Sequence, residues 1–155
     1  MTGLDIKRVD GAAGDEGLEA WRHVHNTIIP THLLSLDDVR ERAVRHHLEL
    51  AYVDGVLVGN STVRPPEGDG ATATVIARVL AEHRRRGFGE RLYGRAVRRA
   101  RELGARVIET CVLSSNEDGL RFALAHGFVE TERYLLDGDT IPWIDLRLDD
   151  PGAAT

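Results

Sequence analysis

The residues of this chain best suited to chemistry are Arg84-Arg85-Arg86-Gly87-Phe88-Gly89, and the chemistry they suit is anion binding. Glycines let an anion approach backbone N–H groups closely, while guanidinium groups add charge and hydrogen-bond donors. The elements that must position them are legible on either side. Residues 72–80 are rich in β-branched side chains and read as a strand. Leu92, Tyr93, Ala96, Val97, Ala100 and Leu103 recur at helical spacing, which predicts a helix over about residues 89–103 with one apolar face. A strand-to-helix junction leaves several N–H groups unpaired and carries the positive end of the helix dipole, so a phosphate is the anion it suits. Taken alone, the loop reads equally well as a basic surface turn.

Two familiar phosphate signatures fail on their residues. A dinucleotide fingerprint needs a third glycine where Leu92 stands, and a Walker loop needs a Gly-Lys-Ser/Thr that is absent. Charge supports a small polyanion. Residues 82–106 hold nine Arg against three Glu, in a chain whose net charge is −5, so the remainder is strongly acidic. A local cationic field in an acidic protein fits a small phosphate-bearing molecule better than a long nucleic acid, so no nucleic-acid partner is expected. Arg91, Arg95, Arg98 and Arg99 are read as solvating the outer helix face, with Glu102 four residues from Arg98 as a pairing partner.

The chain of 155 residues fits one domain. Its first residues carry no apolar signal region, and no run approaches the ~20 apolar residues of a membrane span, so cytoplasm is the expected location and no membrane partner is expected. The single cysteine, Cys111, agrees with a reducing compartment and lies in an apolar run, where a buried structural thiol is expected. None of the seven histidines is spaced at i,i+3 or i,i+4 from another, so no metal is predicted.

Along the chain, residues 5–9 form a first strand that Gly11 and Gly14 break, and Asp15 caps a helix running to about Ile28, ended by Pro30. Ser35 with Asp37-Asp38 opens a second helix. Residues 48–53 and 56–63 flank Asp54-Gly55 as a hairpin, and 65–70 form a loop. A strand over 106–113 is followed by a helix from Asn116. Residues 128–136 and 140–148 flank Asp137-Gly138-Asp139 as a second hairpin, and the tail from Asp149 frays.

The pattern Arg84-x-x-Gly87-x-Gly89, together with Asn116 opening a helix that closes at Gly127-Phe128, resembles the two signatures of the GCN5-related N-acetyltransferases. The element order β-α-α-β-β-β-α-β-α-β-β also follows that family. The resemblance implies an α+β fold with a mixed, mostly antiparallel central sheet flanked by helices. It implies a single N-acetyltransferase domain over residues 1–148, with 149–155 as a tail. It further implies acetyl-CoA as co-substrate, a small-molecule or peptide amine as acceptor, and a homodimer as an assembly open to the chain.

By the same resemblance, the strands before and after the loop helix splay apart. The backbone at Ala77 and Val79 would hydrogen-bond the pantetheine arm like an added strand. Arg84, Arg85, Arg86, Gly87, Phe88, Gly89 and Glu90 would hold the pyrophosphate, and Asn116 would contact the arm. Near pH 7 only on the order of one lysine-type amine in a thousand is unprotonated, so a proton acceptor is needed. Glu109 is the first candidate, then Glu49, or a water chain between them. Trp21, His25 and Trp143 are candidates for an acceptor pocket, with core packing as the competing role.

The chain departs from the family at Ala123, where many members carry a tyrosine that protonates the leaving thiolate. Ser114, Ser115, His126 and Tyr134 are the available substitutes. A thiol of ordinary acidity already leaves fairly well near neutrality. The missing hydroxyl therefore keeps open an alternative reading, a CoA or acyl-CoA binding module with weak catalysis.

Overall fold

A computed structural model describes residues 3–10 and 14–149. The elements are β1 (Asp5–Arg8), α1 (Asp15–Ile28), α2 (Leu36–Arg45), β2 (His47–Val53), β3 (Val56–Glu67), β4 (Thr72–Val79), a short 3-10 turn (Ala81–His83), α3 (Phe88–Glu102), β5 (Val107–Leu113), α4 (Glu117–Ala125), β6 (Phe128–Tyr134) and β7 (Trp143–Leu148). This is the expected order, folded as one seven-stranded sheet, β1-β2-β3-β4-β5-β7-β6, with helices on both faces. Every neighbouring pair is antiparallel except β4 and β5.

Helix ends follow local chemistry. Ser35 and Asp38 form a reciprocal capping box at the start of α2, satisfying two otherwise orphaned N–H groups. Asp15, expected to cap α1, is instead its first helical residue, and Gly14 precedes it without a side-chain cap. The Asp15 carboxylate is drawn to Arg40 of α2, 2.9 Å away. Asn116 does cap α4, its Oδ1 accepting from the Gly119 N–H at 3.1 Å.

Three other expectations shift. β3 runs through Pro65 and Pro66 to Glu67, and its register against β4 slips between Arg64 and Glu67. Prolines cannot donate to a ladder, so they fall where pairing is interrupted. The second hairpin is shorter than expected, its strands ending at Tyr134 and resuming at Trp143 around a longer loop. Glu102 pairs with Arg99, at 3.7 Å, and not with Arg98. Gly11 and the tail beyond Asp149 lie outside the described residues.

Alternation assigns the faces. Val63, Ala73, Val75, Ile108, Val112, Ile144 and Leu146 pack with Ala96 and Ala100 of α3 and Ala123 of α4. The opposite face meets α1 and α2 through Trp21, Leu18, Val39, Leu48 and Leu50. Trp21 is fully buried, its Nε1 donating to the Ser61 carbonyl while Asn60 Nδ2 donates to the Trp21 carbonyl. That is core packing with both polar groups satisfied. Among the described residues no helix is long and apolar enough to cross a membrane.

Candidate active site

β4 and β5 pair over only three positions, Thr72 with Val107, Ala73 with Ile108 and Thr74 with Glu109. Beyond Thr74 the two strands part, and a cavity of about 510 Å³ occupies the gap. Val75 to Val79 line one side and Thr110 to Leu113 the other. The backbone direction is fixed by Leu80, whose N–H donates to Val58 of β3. Strand residues alternate the direction of their backbone groups, so beyond the last ladder bond those of Ala77 and the N–H of Val79 point into the gap as a sheet edge, the Val79 carbonyl being taken by Arg84.

The loop closes one end. Arg85 and Gly87 both adopt positive φ, 63° and 82°, which bends the chain so that successive N–H groups turn the same way. Gly87 stands at the N-cap of α3 and offers no side-chain cap, so the first N–H groups of this helix have no side-chain partner. Phe88 anchors the turn in a cluster with Val58, Val79 and Leu92. Arg86 turns away and stacks on Phe88, 4.8 Å from the ring centroid.

Arg84 is a strut. Its Nε donates to the Val79 carbonyl at 2.9 Å, and its Nη1 lies 3.0 Å from an Asp118 carboxylate oxygen in α4. Of the residues expected to hold the cofactor, Ala77, Val79, Arg84, Arg85, Gly87, Phe88, Gly89, Glu90 and Asn116 line the cavity, and Arg86 does not.

The carboxylates expected to take a proton lie elsewhere. Glu49 is buried under α3, where Arg95 grips it with bonds of 2.7 and 3.1 Å and His47 adds a third at 3.1 Å. Burial alone would raise its carboxyl, but the hydrogen bonds from Arg95 and His47 outweigh that and hold it below the usual range. Glu109 sits in the paired part of β5, opposite Arg147 and short of the gap. Neither lines the cavity.

Ala123 is buried against the cavity, so a methyl group stands at this wall. Of the substitutes, only His126 lines the cavity; Tyr134 donates its hydroxyl to Asp145 at 2.9 Å on the other face. His126 Nδ1 donates to the Phe122 carbonyl at 2.8 Å, leaving Nε2 as the free ring nitrogen, and the ring stacks on Phe122 with centroids 4.0 Å apart. Tyr93, read from the sequence only as part of an apolar face, lines the cavity beside Phe122, His126 and Phe128.

The cavity also reaches the α1 and α2 face, where Ile28, Ile29, Arg78 and Cys111 line it. Burial, with Arg42 and Arg64 as neighbouring cations, lowers the Arg78 guanidinium to about 10. Burial pushes the Cys111 thiol up, away from nucleophilic character. His25 stacks on Trp21 rather than lining the cavity. Trp143 lies beside His32, ring centroids 5.4 Å apart, and His32 Nε2 stands 3.0 Å from the Asp139 carboxylate. Among the described residues no group of three or more His, Cys, Asp or Glu side chains is placed to hold a metal.

The chain belongs to the Acetyltransferase (GNAT) family, whose profile matches residues 15–128. Among solved structures, it is similar to yncA of Salmonella typhimurium, described as an acetyltransferase and solved with its cofactor acetyl-CoA. That match has 20% identity and a TM-score of 0.69, covering 94% of this chain and 92% of the other. A protein described as a phosphinothricin N-acetyltransferase matches at 22% identity and a TM-score of 0.76, covering 94% and 98%. The ribosomal-protein-alanine N-acetyltransferase of Brucella melitensis matches at 17% and 0.70, covering 92% and 98%. No curated protein matches the sequence.

Acetyl-CoA is the co-substrate of this family, and the residues present fit it. An anion-binding loop stands at one end of the cavity and an unpaired strand edge runs along its side.

Proposed function

We propose that this acetyltransferase moves the acetyl group of acetyl-CoA to an amine of a small molecule or peptide, by direct attack with both substrates bound. The observation that carries this reading is the gap between β4 and β5, which is lined by residues from both faces of the sheet. A donor laid along the strand edge from the loop side leaves the α1 and α2 side free for the acceptor.

Acetyl-CoA supplies a thioester: the amine nitrogen bonds to the acetyl carbon, the carbon–sulfur bond breaks, and CoA leaves with the sulfur's electron pair. The chain's residues bind and orient. The N–H groups from Arg85 to Gly89 receive the pyrophosphate, each charge-assisted bond contributing about 1.5–3 kcal/mol. The open backbone groups of Ala77 and the Val79 N–H take the pantetheine amides as an added strand.

The carboxylates lining the cavity, Glu90 and Asp118, are both at the loop end. The amine proton therefore passes to water in the acceptor half. At the thiolate, in place of the hydroxyl absent at Ala123, the doubly protonated ring of His126 would donate from Nε2, since its Nδ1–H is already held by the Phe122 carbonyl.

Thiol release from acetyl-CoA across a panel of amines tests the proposal. Acceptor-dependent turnover is the expected result. Tight CoA binding with no turnover on any amine would instead favour a binding module, the reading that Ala123 motivates.

A further inference from the structure

Resting on the acetyl-transfer reading, we infer that the acceptor amine carries a carboxylate, seated on Arg78, Arg64 and Arg42 at the acceptor end of the cavity. Of the three, Arg78 lines that end, and Arg64 and Arg42 add their charge from outside the lining. Arg64 projects from β3 on the same face, since Asn60 is the cross-strand partner of Arg78 and Arg64 that of Thr74. Arg42 belongs to α2, which covers this face. The three guanidinium groups lie close enough to repel one another: Arg42 is depressed by burial first and then by Arg64, and Arg78 by burial first and then by Arg42 and Arg64.

Several arginines elsewhere in this chain find carboxylates. Arg22, Arg40, Arg45, Arg84, Arg95, Arg121 and Arg133 each stand within 3.3 Å of one. Among the described residues no carboxylate stands within ion-pair distance of Arg42, Arg64 or Arg78, Asp38 acting on Arg42 only from farther off, and the buried Arg64 Nε has no hydrogen-bond partner. The acids nearby are otherwise placed. Asp38 is held in the α2 capping box, Asp145 by Tyr134, and Glu109 lies across from Arg147.

A partly buried cluster of cations without counter-ions costs stability, and a planar carboxylate accepting paired N–H bonds is the ligand whose geometry offsets that cost. Size agrees. The 510 Å³ must also admit the arm of the donor, so the acceptor is a small molecule of amino-acid type. The cluster also disfavours the ammonium form of a nearby amine, which favours the nucleophile without a dedicated base.

The experiment compares free amino acids, β-alanine and γ-aminobutyrate with their carboxamides, matched side chain for side chain, by thiol release from acetyl-CoA. The acids should exceed their carboxamides by about 10- to 100-fold in kcat/KM. That ratio should collapse in Arg64→Gln and Arg78→Gln while the KM for acetyl-CoA stays unchanged. Carboxamides that react as well as acids, or a ratio untouched in both variants, would overturn the inference.

If no amine turns over, the acetyl-transfer reading fails, and the acid preference is read from the thermal shift produced by N-acetyl amino acids against their amides, with CoA present. A shift by the acids alone, abolished in Arg78→Gln, upholds the carboxylate seat. Equal shifts, or none, overturn it.

Discussion

Arg84 donates from Nε to the carbonyl oxygen of Val79 at 2.9 Å, tying the phosphate-type loop back to the last residue of the strand edge it serves. The same side chain reaches Asp118 on α4, so loop, strand edge and the second signature helix are fixed by one guanidinium. Arg84→Lys keeps the charge but loses the fork that makes both bonds. We expect this variant to weaken CoA binding about 10-fold, roughly one hydrogen bond to a charged group, with the acceptor KM little changed. Calorimetric titration with CoA checks it; equal affinity would show that the strut is dispensable.

Glu49→Gln separates a structural carboxylate from a catalytic one. Its oxygens are occupied by Arg95 and His47 away from the cavity, so thiol release should stay within about threefold of wild type. Stability should fall by about 1–2 kcal/mol, below the value for a fully buried pair because Arg95 is half exposed to water. A drop of 100-fold in kcat at unchanged stability would reinstate Glu49 as the base.

Gly59 lies opposite Val79 in the β3–β4 ladder, and a Cβ there would overlap the Arg78 carbonyl oxygen, with Leu92 also in tight contact. Gly59→Ala must therefore push β4 toward the gap. A loss of about 1–3 kcal/mol in urea unfolding is expected, as for other overpacked sites, with weakened CoA binding. Wild-type stability in this variant would mean that the ladder shifts freely.

Acid should destabilise the fold through two histidines held neutral in the folded chain. His25 and His46 are lowered from 6.5 to about 4, His25 by burial and then Arg78, His46 by burial and then Arg64. His25 Nε2 donates to the His32 carbonyl at 2.9 Å, and its buried Nδ1 has no partner, as a neutral ring requires. Both folded values lie below the unfolded one, so the unfolded chain binds more protons between pH 6.5 and 4. Stability is complete above pH 6.5 and falls as pH drops toward 4, by up to about 3 kcal/mol per buried histidine. Denaturant titrations at pH 7.5 and 5 check this, and His25→Gln should flatten the slope.

Removing a counter-ion-free cation should do the opposite of removing a structural one. Arg64→Gln is expected to leave stability unchanged or raise it by up to about 1 kcal/mol, because it relieves repulsion with Arg42 and Arg78. A melting temperature lowered by several degrees would assign Arg64 a structural role instead.

Much of this arrangement was legible in the sequence because it rests on local rules. The Arg84 to Gly89 turn, the Ser35 cap, the Asn116 cap and the apolar stripe of α3 each depend on residues within one or two turns of each other. Where reading failed, partners were distant in sequence. Asp15 was lost as a cap to Arg40, 25 positions away, and Glu49 was lost as a base to Arg95, 46 positions away. Arg42, Arg64 and Arg78 came from a helix and two strands: the sheet register puts Arg64 and Arg78 on one face, and the packing of α2 brings Arg42 to it. No periodicity could have shown that. Tyr93 carried a weak signal, a polar-tipped aromatic on an otherwise aliphatic stripe.

The seam between β4 and β5 has one further consequence. Seven strands are continuous, yet only Thr72, Ala73 and Thr74 join the first four to the last three. Mechanically the sheet is two plates on a short hinge, wedged open by the cavity and latched at the far end by Arg84 on Asp118. A molecule bridging the plates would act as a keystone, so amide exchange at Ala77 and Val79 should slow on CoA binding far more than at the outer strands.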